Sequence, residues 1–235
     1  MGQLLAPPGP HAVHLCIDMQ GLFAPGAPWA TPWLESALPE AVRLIAHTPR
    51  RTVFTRFIPV RNKAEARGVW KIYYEKWECV TRDKVDPVLL ELMPALTRFV
   101  PPATVIDRQT YCAFTNSRLQ AFLDEHQVDT LIVSGGETDV CALATVLAAV
   151  DIGYRVILAE DALCSSSDES PRCAHQSLQQ AVQLADRGGS RRQHPCELER
   201  RRLTADQFAF LRGFRESDAA CANLRGDGQG QMTIT

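Results

Sequence analysis

TLIVSGGETDVCALATVLAAVDIG, residues 130–153, is the stretch on which the reading of the whole chain turns. It opens with a short apolar run rich in β-formers. Gly135 and Gly136 break that run, and from Thr138 onward Ala, Leu and Val recur at helical spacing. Strand, glycine turn and helix make the repeating unit of a parallel α/β sheet. Cys141 falls in the first turn of the helix. Unpaired N–H groups and the positive dipole end favour thiolate over thiol there, and the same amides suit an oxyanion. The plainer reading of the same residue is a small cysteine packed in an Ala-rich core helix.

Working outward, the pattern repeats. Residues 12–17 (AVHLCI) read as a buried strand ending at Asp18, and residues 33–47 as an amphipathic helix stopped by Thr48-Pro49. Residues 51–57 (RTVFTRF) form a second strand and residues 103–106 a third, which runs into Asp107-Arg108. Asn116 or Thr115 caps a helix over 117–126, residues 129–134 are the fourth strand, and residues 154–159 (YRVILA) the fifth. Between the second and third strands, residues 59–84 read as a long irregular loop, with Trp70, Tyr73, Tyr74 and Trp77 among charged residues; residues 86–96 follow as a short helix. Aromatic loops of this length cover active sites or partner subunits.

Alternating strands and helices predict a parallel sheet with helices on both faces, a three-layer α/β/α sandwich. Right-handed crossovers bring the C-terminal strand ends to one edge. Asp18, Arg108 and Cys141 each follow such an end, so three loops deliver an acid, a cation and a thiol to one crevice.

Composition narrows the class. With 46% hydrophobic and 22% charged residues, the 235-residue chain is an ordinary globular protein. A net charge of −2 gives no electrostatic case for nucleic acid or an anionic membrane. No apolar run reaches the roughly 18 residues of a membrane span. The first ten residues lack the basic start and apolar core of a secretory signal. None of the eight cysteines forms a C-x-x-C pair, which fits free thiols in a cytoplasmic protein better than a disulfide framework or a zinc site. Three segments are expected: a tail over 1–10, a domain over 11–186, and a partly disordered tail over 187–235 carrying the basic run RGGSRRQHPCELERRR at 187–202. Residues 171–185 and 203–214 are helix candidates within that last third, where no sixth strand is legible.

Four pieces of the sequence resemble the isochorismatase-like cysteine hydrolases. Asp18-Met19-Gln20 with Phe23 resembles that family's D-x-Q-x-x-F. Arg108 through Tyr111-Cys112-Ala113-Phe114 resembles its K-x-x-Y-S-A-F, and Gly136-Glu137-Thr138-Asp139-Val140-Cys141 its G-x-x-T-x-x-C. Gly153-Tyr154-Arg155-Val156, followed by Asp161-Ala162, resembles the next strand and its exit. The resemblance implies a catalytic Asp18, Arg108 and Cys141, with Asp18 as general base and acid and Cys141 as nucleophile. It implies a cis peptide at Gly136-Glu137, an oxyanion hole from the N–H groups of Glu137 and Cys141, and hydrolysis of a C–N bond in a small amide or carbamoyl compound through an acyl enzyme. Phe23, Trp70, Tyr73 and Trp77 are the expected pocket walls. No cofactor or metal is implied, and the expected partners are a small-molecule substrate and further copies of the chain. The alternative is a catalytically weak homologue acting as an oligomeric binding or scaffold protein. Arg108 departs from the family's Lys: it keeps the charge but does not carry protons. Residues 171–235 do not resemble the family's last helix, strand and helix, which marks a diverged tail or a changed reading frame.

Overall fold

A computed structural model describes residues 7–165. The helix candidates at 171–185 and 203–214 and the proposed boundary at 187 lie outside the described residues. Five strands form one parallel sheet: β1 (Ala12–Ile17), β2 (Thr52–Phe57), β3 (Thr104–Arg108), β4 (Thr130–Gly136) and β5 (Arg155–Cys164), in the order β3-β2-β1-β4-β5. The helices are α1 (Leu34–His47), α2 (Val69–Lys76), α3 (Pro94–Thr97), α4 (Ser117–Glu125) and α5 (Leu143–Ile152). This is the predicted α/β architecture.

Alternation along the strands decides which side chains enter which layer. Val13, Leu15 and Ile17 of β1 share one face with Val53, Ile106, Leu131, Val133 and Val156, and pack against Leu119 and Leu123 of α4 and Val146 and Ala149 of α5. The other face lies under α1, which buries Leu34, Ala37, Ala41 and Ile45 and contacts β1, β4 and β5. His14 and Ser134 belong to that layer and hydrogen-bond each other at 2.7 Å. Local chemistry ends the helices where the sequence indicated. Asn116 accepts from the Arg118 N–H at 2.9 Å to start α4, and Gly153, at φ 106°, closes α5.

Four expectations are corrected. The segment 59–84 is not irregular throughout: it carries α2 and a 3₁₀ turn at Glu78–Val80, because Trp70 and Tyr73–Tyr74 find an aromatic cluster to pack into. Residues 86–96 are a 3₁₀ turn (Pro87–Leu90) and the short α3 rather than one helix, since Pro87 and Pro94 each start a new turn. β5 continues past residue 159 to Cys164, pairing Leu163 and Cys164 with Gly135 and Gly136 across an irregularity in the ladder. Among the described cysteines, Cys16, Cys112, Cys141 and Cys164 are free, but Cys79 is disulfide-bonded. No helix among the described residues is long and apolar enough to cross a membrane.

Candidate active site

The strand order reverses between β1 and β4, since the chain runs from β1 through β2 to β3 on one side and from β4 to β5 on the other. The C-terminal ends of those two strands open on the crevice where α/β sheets hold ligands. Asp18 leaves β1 and residues 137–141 leave β4 at this point. Gly135 makes their approach possible. Its φ is +94°, and a Cβ there would lie 2.0 Å from the Ile17 carbonyl oxygen. Only glycine tolerates both conditions. A Cβ on Gly136 would meet Cys164 Sγ at 2.6 Å.

Asp18 itself has a positive φ of 49°, a conformation aspartate tolerates better than most residues. Neighbours hold it there. Its N–H donates to the Thr55 carbonyl at 3.2 Å, and the Thr55 hydroxyl donates to Asp18 Oδ1 at 2.7 Å. Gln20 clamps the adjoining strand ends. Its side-chain amide donates to the carbonyls of Leu90 and Phe57 at 2.7 and 3.2 Å, and its Oε1 accepts from the Phe57 N–H at 2.7 Å.

Arg108 reaches in from the far edge strand. β3 is separated from β1 by β2, a span of about 10 Å that the long side chain crosses. Its guanidinium donates to Asp18 Oδ2 and to the Thr110 carbonyl and lies over the Phe57 ring, 5.4 Å from the centroid. Both side chains of the ion pair are essentially inaccessible to solvent. Cys141 lies within electrostatic reach of both partners and is itself only 2% exposed. The acid, cation and thiol expected from three separate loops therefore converge.

The cysteine's turn is not an ordinary helix start. Thr138–Ala142 is wound as a π-helix: the Glu137 carbonyl accepts from Ala142 five residues on at 2.9 Å, and from Val140 at 3.1 Å. Thr145 braces it. Its hydroxyl donates to the Cys141 carbonyl at 2.7 Å and accepts from the Ala113 N–H at 3.0 Å, tying the cysteine's turn to the loop after Arg108. The peptide bond Gly136-Glu137 is cis, as the resemblance implied.

Electrostatics here is governed by burial. Desolvation raises the Asp18 carboxyl above its usual range, against the lowering effects of Arg108 and of hydrogen bonds from Thr55 and Cys141. Burial also pushes the Cys141 thiol well up, with Arg108 acting in the opposite direction. Burial and Arg108 therefore act on the thiol in opposite directions, a balance that the helix end alone does not set.

Of the expected pocket walls, Tyr73 lies within electrostatic reach of Cys141, as does Tyr111. Trp70 packs on both, at 4.9 Å on Tyr111 and 5.2 Å on Tyr73. Phe23 and Trp77 are nearly buried and pack on Trp29 at 5.9 and 6.0 Å, as the cluster's support. Tyr111 was legible as part of a motif but not as a wall. Nothing in the sequence marked Trp29, Thr55 or Thr145. Among the described residues, no three His, Cys, Asp or Glu side chains are grouped as a metal site.

The isochorismatase domain model matches residues 12–186. This chain belongs to the isochorismatase family. It is 26% identical over 168 residues to an N-carbamoylsarcosine amidase from Arthrobacter, covering 66% of this chain and 59% of that protein. The chain thus spans under two-thirds of that relative's length. An isochorismatase family protein from Desulfovibrio vulgaris superposes with a TM-score of 0.63 at 20% identity, covering 75% of this chain and 97% of its own. A cysteine hydrolase from Pseudomonas syringae gives 0.60 at 20% identity, with 77% and 100% covered. Family membership accounts for the order of the four motifs and for the sheet, and the structural likenesses speak to the fold alone.

Proposed function

We propose that this family member is a hydrolase acting on small amides, cleaving a C–N bond through an acyl enzyme on Cys141. The observation that carries this reading is the buried Asp18–Arg108 ion pair with the buried Cys141 thiol within electrostatic reach of both. The names of the amidase and cysteine hydrolase relatives support the same class.

In this reading the Cys141 proton passes to Asp18 as Sγ attacks the amide carbonyl carbon. The carbonyl oxygen takes up the negative charge and is held by the backbone N–H groups of Glu137 and Cys141. Collapse of the tetrahedral species breaks the C–N bond, and Asp18 returns the proton to the leaving nitrogen. Water then gives a proton to Asp18 and its oxygen to the thioester, releasing the acid and restoring the thiol. Arg108 supplies fixed positive charge without exchanging a proton, its own pKa being far too high. No step uses a metal or cofactor. Among the described cysteines, four free thiols against one bonded support a cytoplasmic setting. Exposed Val69 and Ile72 on α2 support a homo-oligomer.

One observation favours the scaffold alternative: Asp18 and Cys141 are 1% and 2% exposed, so the site is shut as it stands. A screen of small amides with intact-mass detection decides between the two. An acyl adduct on the wild type that disappears in Cys141→Ala supports the hydrolase. Absence of any adduct, together with sluggish alkylation of every thiol, overturns it.

A further inference from the structure

Glu137 is the group in this site that the reaction above leaves unused. Its backbone serves the oxyanion hole, and its carboxyl has no assigned task. The side chain does not cap the π-helix that begins beside it, and no hydrogen bond to the carboxyl occurs among the described residues. It is only partly covered, unlike Asp18. It lies within electrostatic reach of Cys141, Cys164, Tyr73 and Tyr111.

Among the described residues, the charges around it have partners. Arg108 is paired with Asp18. Asp139 accepts from the Ser165 hydroxyl at 3.0 Å. The walls are rings set at angles to one another: Trp70 to Tyr73 at 73° and Trp70 to Tyr111 at 56°. Non-parallel ring faces with a nearby carboxyl suit a cation, since each face presents the negative part of its quadrupole.

We propose that Glu137 is a specificity residue that selects amides carrying a cationic nitrogen, an ammonium or amidinium group, seated between its carboxyl and the rings of Trp70, Tyr73 and Tyr111. This rests on the hydrolase reading of the site. Burial raises the Glu137 carboxyl to about 8, followed by the repulsion of Asp139 and Asp18, with Arg108 opposing. A cation arriving there lets the carboxyl ionise, whereas a carboxylate ligand meets a third acid.

Three amides of similar size test this: 3-aminopropanamide (cationic), butanamide (neutral) and malonamate (anionic). Wild-type kcat/KM is expected to be on the order of tenfold higher for the cationic amide than for the neutral one, and lowest for the anion. In Glu137→Gln the ratio of cationic to neutral kcat/KM is expected to fall to about one. Hydrolysis with no preference for the cation, or a preference that survives Glu137→Gln, overturns the proposal while leaving the hydrolase reading intact. A second arm needs no turnover. Propylammonium is expected to protect Cys141 of the wild-type protein from iodoacetamide, where propionate at equal concentration does not. If no amide is hydrolysed the hydrolase reading fails, and equal protection by the two ions overturns the role of Glu137.

Discussion

Cys141, Asp18 and Arg108 are one electrostatic unit, and each substitution is expected to expose a different part of it. Cys141→Ala removes the nucleophile from a well-packed turn. Turnover is expected to vanish while the melting temperature moves little, as product assay and thermal melt in parallel will check. Asp18→Asn removes the proton acceptor and leaves the buried Arg108 guanidinium without its counter-charge. A loss of at least about 100-fold in kcat is expected, with destabilisation of about 3 kcal/mol or more because a buried charge is left unpaired. Denaturant unfolding and kinetics on the folded protein separate the two effects. Arg108→Met removes the influence that lowers the Cys141 thiol pKa against burial. Slower iodoacetamide labelling of Cys141 at pH 7 is expected. Identical labelling curves for the two proteins would show that the guanidinium does not act on the thiol.

Among the elements, the junction of β4 with the π-wound turn decides the site's geometry. Gly135 lies against the backbone of Ile17, and Thr145 ties the Cys141 turn to the loop carrying Ala113. Thr145→Val keeps the shape but leaves the buried Ala113 N–H without its acceptor. The expected cost is about 1–3 kcal/mol, read by denaturant unfolding. A larger proportional loss in kcat than in KM is expected too, because the bridge positions the thiol against Asp18 rather than holding substrate.

At the scale of the whole molecule, His14 and Glu137, among the described residues, shift in opposite senses on folding. His14, held at about 4 by burial, is neutral in the folded state at neutral pH; its contribution to stability is lost as pH falls from 6.5 towards that value. Glu137 is raised from 4.5 to about 8, so the folded state holds its proton more tightly than the unfolded chain does. Its contribution is complete below 4.5 and is lost as pH rises towards about 8. Between about 6.5 and 8 His14 is neutral in both states, and the contribution of Glu137 is the difference between wild type and Glu137→Gln. The melting temperature is expected to fall across that window more steeply in the wild type than in Glu137→Gln. Melts in matched ionic strength across the window check this, and an equal slope in both proteins would remove Glu137 as its source.

The periodicity of the sequence by itself determined the parallel sheet, its five strands and the three loops from which Asp18, Arg108 and Cys141 project. Apolar alternation and glycine breaks are local signals, and a parallel topology converts them into one shared edge. The strand end at residue 159 and the irregular loop over 59–84 were misread, each because a distant partner overrides local chemistry. β5 runs on because Gly135 and Gly136 leave room for Leu163 and Cys164. α2 forms because Trp70, Tyr73 and Tyr74 have rings to pack on. For the same reason only the tertiary structure decided the company of the Glu137 carboxyl: its neighbours come from β1, β3, α2 and the loop after β3, and no window along the chain contains them.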